Sequence, residues 1–449
     1  MKSSKPLSKP LSKPLSKPLS KPFSKKLSFM GIFAILPLMM ACQSMPKPTS
    51  VHGAGDELAK SAISYGTRPF YLLDDMDEGK LKQELKSCQA QTPKRTEFSI
   101  AHRGAPLQFA EHTAESYIAA NRQGAGIQEC DVAFTKDHQL VCRHSDADLH
   151  TTTNILQTPL ANKCTQNFTP AQFDASGKLI KEASAKCLTS DITLAEFKTL
   201  KGKQDAANPK ARTVDEYVNS TPAFRTDLYS QNATLMSLDE ALALYKKMGV
   251  KVTPELKQPT VIPHQGYTYD DYRADLIKAL KKAGYQANDS IVQSFNIDDL
   301  TYWIEHYPDY AKTAVFLMED VNSAKDGKNF DPQNPATWKY DLAELKQKGI
   351  QNLAPATWML VTNKVGELQM SEFARQAKAH GFGLVTWTVE RSYPLSSGGG
   401  WYYTGIHDIT NNDGDMYKLI DVLHKEVGVK GIFSDWPASV TYYANCRGI

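Results

Sequence analysis

The sequence predicts a parallel (β/α)8 barrel with one polar insertion, and three observations carry that prediction. Eight short apolar, β-branched runs recur between residues 98 and 433. Most are followed by a stretch of helical period. Many of those stretches close on a glycine just before the next run, at Gly124, Gly249, Gly284, Gly349, Gly381 and Gly428. That is the chemistry of a helix C-cap at a helix-to-strand turn. Strand–helix alternation repeated eight times implies a parallel sheet closed on itself.

The strands are expected at 98–101, 126–132, 249–255, 290–295, 312–318, 350–355, 383–389 and 429–433. Helices are expected at 111–123, 237–248, 269–283, 297–305, 371–380 and 413–427. Residues 145–236 break the alternation between the second strand and its helix. They are polar, hold Cys164 and Cys187, and carry a short helical signal at 194–200. They are expected as an insertion on the top face of the barrel. Residues 140–144 follow the Lys136-Asp137-His138 turn and are expected as a hairpin strand leading into it.

Residues 4–23 are a tandem repeat, four copies of Ser-Lys-Pro-Leu and then Ser-Lys-Pro-Phe. Proline at every fourth position prevents helix and sheet. Lys25 and Lys26 then precede an apolar run over 27–41, too short for an ordinary transmembrane helix. A basic region, a short apolar region and a small residue before a cleavage point make residues 1–41 a signal peptide. Met39-Met40-Ala41-Cys42 resembles a bacterial lipoprotein signal, which makes Cys42 the expected lipidation residue. Residues 42–60 read as a tether and 61–449 as the barrel domain. The expected location is the periplasm or the outer membrane of a Gram-negative bacterium, with the membrane reached through the lipid anchor.

Of the 52 Lys and Arg, nine lie in residues 1–55, which hold no acid, leaving 43 against 49 Asp and Glu in the remainder. The folded part is mildly acidic, which argues against a nucleic-acid partner. Six cysteines remain besides Cys42. Cys164 and Cys187 share the insertion and are the first expected pair, and Cys88 with Cys446 is expected to staple the ends of the domain. Cys130 and Cys142 lie inside apolar strands and are expected as buried thiols. No CxxC occurs, so a zinc ribbon is not expected.

Chemistry in such a barrel sits at the C-terminal ends of the strands. His102-Arg103-Gly104 closes the first strand, and Glu129 and Asp131 close the second on one side of it. His144 closes the hairpin. Glu255 closes the third strand with Lys257 two residues on, Trp387 lies in the seventh, and Asp435 and Trp436 follow the eighth. Three carboxylates at close range need a cation, and all-oxygen ligands suit Ca²⁺ or Mg²⁺. Two histidines suit acid and base work near neutral pH. Arg103 and Lys257 place positive charge where an anionic substrate would lie. Together these describe a phosphoryl-transfer site.

The stretch 100–153, reading IAHRGAPLQFAEHTAESYIAANRQGAGIQECDVAFTKDHQLVCRHSDADLHTTT, resembles the glycerophosphodiester phosphodiesterase family. The match continues in DITLAEFKTL (191–200), SLDEALALY and PELK (237–257), IVQSFN (291–296), VTWTVE (385–390) and GIFSDWP (431–437). The resemblance implies His102 and His144 as catalytic acid and base, and Glu129, Asp131 and Glu255 as metal ligands. It implies Arg103 and Lys257 as phosphate contacts, with Glu111 in support; Trp387, from its place in the seventh strand, is expected to wall the substrate pocket. It further implies a divalent cofactor, Ca²⁺ ahead of Mg²⁺, and hydrolysis of small glycerophosphodiesters to glycerol 3-phosphate and an alcohol. His112 departs from the Asn of the family's E-N-T pattern, and Ser145 from the Asp after the second His. The alternatives are a lysophospholipase D-like hydrolase and a surface binding lipoprotein with vestigial activity.

Overall fold

The computed structural model describes residues 61–229, 232–261 and 266–449. The expected signal peptide, Cys42 and the tether lie outside the described residues.

Nine parallel strands make a nearly closed barrel. They are β1 (Thr96–Ala101), β2 (Ala125–Phe134), β3 (Lys251–Leu256), β4 (Gln293–Ser294), β5 (Val315–Met318), β6 (Asn352–Pro355), β7 (Gly383–Leu384), β8 (Thr386–Val389) and β9 (Ile432–Ser434). Each of β1 to β6 pairs with the next in the chain, β8 pairs with β9, and β9 pairs back with β1. The seventh expected strand is thus divided at Val385, one half paired to β6 and the other to β9. Every residue of β2 is buried, as expected for a parallel strand covered on both faces.

The helices begin where the sequence supplies caps. Ser237 and Glu240 form a capping box ahead of Leu238–Met248, which stops at Gly249 with φ 66°. Thr268 and Asp271 do the same for Tyr269–Lys282. Ala114–Arg122, Ile297–His306 and Glu372–Ala379 start at Thr113, Asn296 and Ser371. Leu342–Gln347, before β6, is the helix that closes ahead of Gly349, and Pro437–Arg447, after β9, was not expected. The helix expected at 413–427 is a 3-10 turn (Asp413–Asp415), an α-helix (Met416–Val422) and a π turn (Leu423–Val427). Arg68–Asp75 and Lys80–Lys86 precede the barrel.

Leu140–Cys142 pairs antiparallel with the end of β2. The polar stretch after it carries short helices, among them Leu194–Phe197 and Val214–Val218, and three small ribbons. It has its own apolar cluster around Leu149, Ile155, Phe197, Tyr217 and Leu235.

Three disulfides join Cys88 to Cys446, Cys130 to Cys142, and Cys164 to Cys187. The second corrects the expectation of two free buried thiols. Cys142 stands opposite Val132 on the hairpin. Side chains alternate along a strand, so Cys130, two residues from Val132, shares that face. The two Cα atoms are 5.2 Å apart, within disulfide range.

Candidate active site

Strand register assembles the site. Ile100 and Ala101 of β1 stand beside Ile127 and Gln128 of β2, so His102 and Glu129 arrive at the same level. Asp131 stands directly beside Glu255 of β3, and Glu255 beside Gln293 of β4. These ends open into a cleft of about 620 Å³ lined by His102, Arg103, Glu129, His144, Glu255 and Lys257, and by Trp387 and Arg391. Seven of the eight residues singled out as catalytic, substrate-binding or metal-ligating line this one cleft. The eighth, Asp131, lies just behind it.

Glycine is required at position 104, where φ is 91° and a Cβ would come within 2.3 Å of Ser116 Oγ and 2.8 Å of its backbone. Arg103 just before it is also left-handed, with φ 57°. That turn lets one residue serve three acids. Its N–H donates to Glu129 Oε2 at 2.8 Å. Its Nη1 donates to both Glu111 oxygens at 3.3 Å, and its Nε lies 3.3 Å from Asp131 Oδ2.

Glu129, Asp131 and Glu255 are buried with ligand oxygens all within 4.8 Å of one another. Burial, then Asp131 and Glu255, push the Glu129 carboxyl well above the usual range. Burial pushes Glu255 up to about 8, with Lys257 at 2.5 Å opposing and Asp131 adding to it. Asp131 is held low despite burial by Lys257, His112 and Arg103. Negative charge therefore exceeds what Lys257 and Arg103 neutralise, and an all-oxygen donor set fits a hard divalent cation. A second group, Glu111, His144 and Asp148, is equally close. Glu111 there is already paired with Arg103 and Arg391, which hold its carboxyl well below the usual range against burial.

His102 Nδ1 lies 2.6 Å from Asp435 Oδ1. Burial, then Arg103, lower its pKa to about 4, with Asp435 opposing. Burial, Arg103 and Lys257 push His144 well below the ordinary imidazole range. Both rings are neutral near pH 7. Asp146, adjacent to the departure at Ser145, accepts from Thr260 N at 2.7 Å and Thr260 Oγ1 at 2.9 Å. His112 bridges Tyr117 OH and Asp131 Oδ2, both at 2.9 Å, so this departure supports a carboxylate of the acidic cluster.

Sequence reasoning missed two arginines. Arg391 follows β8 and contacts Glu111 Oε2 at 3.1 Å and Asp435 Oδ2 at 3.2 Å. Arg225 reaches Asp435 Oδ2 at 2.7 Å. Arg391 stands one residue beyond the matched VTWTVE segment, at a strand end where chemistry is expected, and could have been found there. Arg225 carries no such signal. Trp387 packs edge-on against Phe295 with centroids 5.5 Å apart and lies 5.5 Å from Trp401 and 5.8 Å from Tyr402. These four rings wall one side of the cleft, and Glu319 and Asp320 line it as well.

The sequence pattern of the Glycerophosphoryl diester phosphodiesterase family matches residues 102–439. An extracellular protein of Arthroderma benhamiae is 41% identical over 249 residues, 54% of this chain and 98% of that protein. A glycerophosphodiester phosphodiesterase of Haemophilus influenzae is 28% identical over 360 residues, 77% of this chain and 88% of that protein. One of Arabidopsis thaliana is 26% identical over 268 residues, 57% of this chain and 62% of that protein. A solved structure from Silicibacter pomeroyi, assigned to the glycerophosphoryl diester phosphodiesterases, shares the fold with a TM-score of 0.50 at 18% identity, over 81% of this chain and 98% of that one.

Proposed function

This chain belongs to the Glycerophosphoryl diester phosphodiesterase family, and from that premise we propose that it hydrolyses glycerophosphodiesters to glycerol 3-phosphate and an alcohol. The observation that carries the reading is the convergence of two neutral histidines, three buried carboxylates and two cations on one cleft. Glu129, Asp131 and Glu255 hold a divalent cation, which when bound supplies positive charge to the phosphoryl oxygens. Three carboxylates are more than the one or two that Mg²⁺ usually takes, which favours Ca²⁺.

Arg103 and Lys257 bind and orient the anionic diester. With Asp435 accepting at Nδ1, His102 keeps Nε2 for proton transfer, and His144 is the second such group. An anion between the two rings raises the proton affinity of both, so substrate binding favours the protonated partner needed at the leaving alcohol. The free glycerol hydroxyl is the proposed nucleophile, giving a cyclic phosphodiester that water then opens. The aromatic wall with Glu319 and Asp320 favours a cationic alcohol, since ring faces and acids both attract an ammonium.

We also propose export, with Cys42 as the lipid-bearing residue. Three disulfides and the likeness to an extracellular protein support an oxidising location. Product analysis tests the reading. Glycerol 3-phosphate and choline from glycerophosphocholine support it. Cleavage of lysophosphatidylcholine alone, giving choline and lysophosphatidate, replaces it with the lysophospholipase D-like alternative.

A further inference from the structure

Arg225 comes from the polar stretch between β2 and β3, yet its side chain ends beside the catalytic cleft, 7% exposed. Nη1 donates to the carbonyl of Pro106, just after His102 and Arg103. Nη2 donates to the carbonyl of Arg391 at 2.8 Å and to Asp435 Oδ2 at 2.7 Å. One guanidinium therefore ties together the three loops that carry His102, Arg391 and Asp435. The backbone just after it is held in turn. Thr226 N donates to Leu107 O, Leu228 N donates to Gln108 O, and Gln204 Nε2 donates to Pro106 O, Phe109 O and Thr226 O.

A buried guanidinium must find acceptors, and carbonyls alone would satisfy a structural anchor. The carboxylate Arg225 meets is the one that holds His102. Burial would raise the Asp435 carboxyl, but Arg391 and Arg225 outweigh it and keep it ionised. An ionised carboxylate only accepts, so the proton between the two sits on His102 Nδ1 and the lone pair on Nε2. Arg391 meets the same Oδ2 at a longer 3.2 Å and is shared with Glu111.

We infer that Arg225 is a positioning residue for the reaction, fixing Asp435 and through it the tautomer and aim of the His102 ring. The inference rests on the reading of His102 as a proton-transfer group. It gives the inserted stretch a part in the chemistry: the barrel furnishes His102 and Asp435, and the insertion locks them together.

The test compares metal-loaded full-chain R225A and R225K with wild type, reading kcat and KM separately on glycerophosphocholine and the His102 ring nitrogens by ¹⁵N NMR. R225A is expected to lower kcat about 10- to 100-fold with KM within about threefold, and R225K to recover part of the loss. In a D435N background R225A is expected to cost less than about twofold more, because the residue acts through Asp435. The ring is expected to move from a pure Nδ1–H signature toward a tautomer mixture. An unchanged kcat in folded R225A, equal losses in both Asp435 backgrounds, or an unmoved ring signature overturns the inference. If R225A does not fold, R225K and R225Q carry the same comparisons. An inactive wild type sinks the functional reading instead, and the ring signature alone then decides whether Arg225 sets the tautomer.

Discussion

Asp131 and Glu255 stand directly beside each other on neighbouring parallel strands, both buried at the catalytic end of the barrel. Two acids in that register, with Glu129 close by, repel until a cation joins them. Glu129→Gln is expected to weaken divalent-cation affinity about 10- to 100-fold. In chelator the same substitution is expected to stabilise the protein by about 1–3 kcal/mol, because a neutral amide replaces a buried carboxyl that is costly to ionise beside Asp131 and Glu255. Calorimetric titration and denaturant unfolding, with and without chelator, check both signs. A destabilised apo variant would count against the repulsion argument.

Acid sensitivity follows from His102. Its folded pKa of about 4 lies below the ordinary 6.5. The unfolded chain therefore binds this proton first, so the stabilising contribution is complete above pH 6.5 and is lost as pH falls toward 4. The loss amounts to about 3 kcal/mol. His102→Asn is expected to flatten the unfolding free energy over that window, measured by urea denaturation at stepped pH. A curve parallel to wild type would contradict the assignment.

The disulfides predict a ranking. Cys88–Cys446 spans 358 residues and Cys130–Cys142 spans 12. Loop-entropy arguments give about 6 kcal/mol for the first and about 3 kcal/mol for the second. Only the second touches the site, because β2 also carries Glu129 and Asp131. C130S/C142S is expected to lower activity more than C88S/C446S does, and stability less. Activity and denaturation measured on both pairs give the order.

Head-group choice depends on the aromatic wall. Trp387→Ala is expected to raise KM for glycerophosphocholine about 3- to 30-fold while changing KM for glycerophosphoglycerol by less than about threefold. Equal losses on both substrates would mean that Trp387 shapes the cleft without reading the cation.

Much of this was legible in the sequence because barrel chemistry sits at strand ends. His102, Glu129, Asp131, Glu255 and Lys257 could each be placed by counting to the end of an apolar run. The Cys130–Cys142 bond was not legible, because an apolar strand position suits a thiol and a half-cystine equally. The register of Val132 with Cys142 decides between them. Arg225 was invisible for another reason. It lies in a stretch with no period, and its partner Asp435 is 210 residues away. Only the folded loops bring the two together.

The most direct measurement is release of glycerol 3-phosphate from glycerophosphocholine by the full chain, first chelated, then with Ca²⁺ or Mg²⁺ restored, alongside His102→Ala. The account predicts no release in chelator, recovery with cation, strongest with Ca²⁺, and a loss of at least about 100-fold in His102→Ala. Release that persists in chelator, or that survives in His102→Ala, would contradict it.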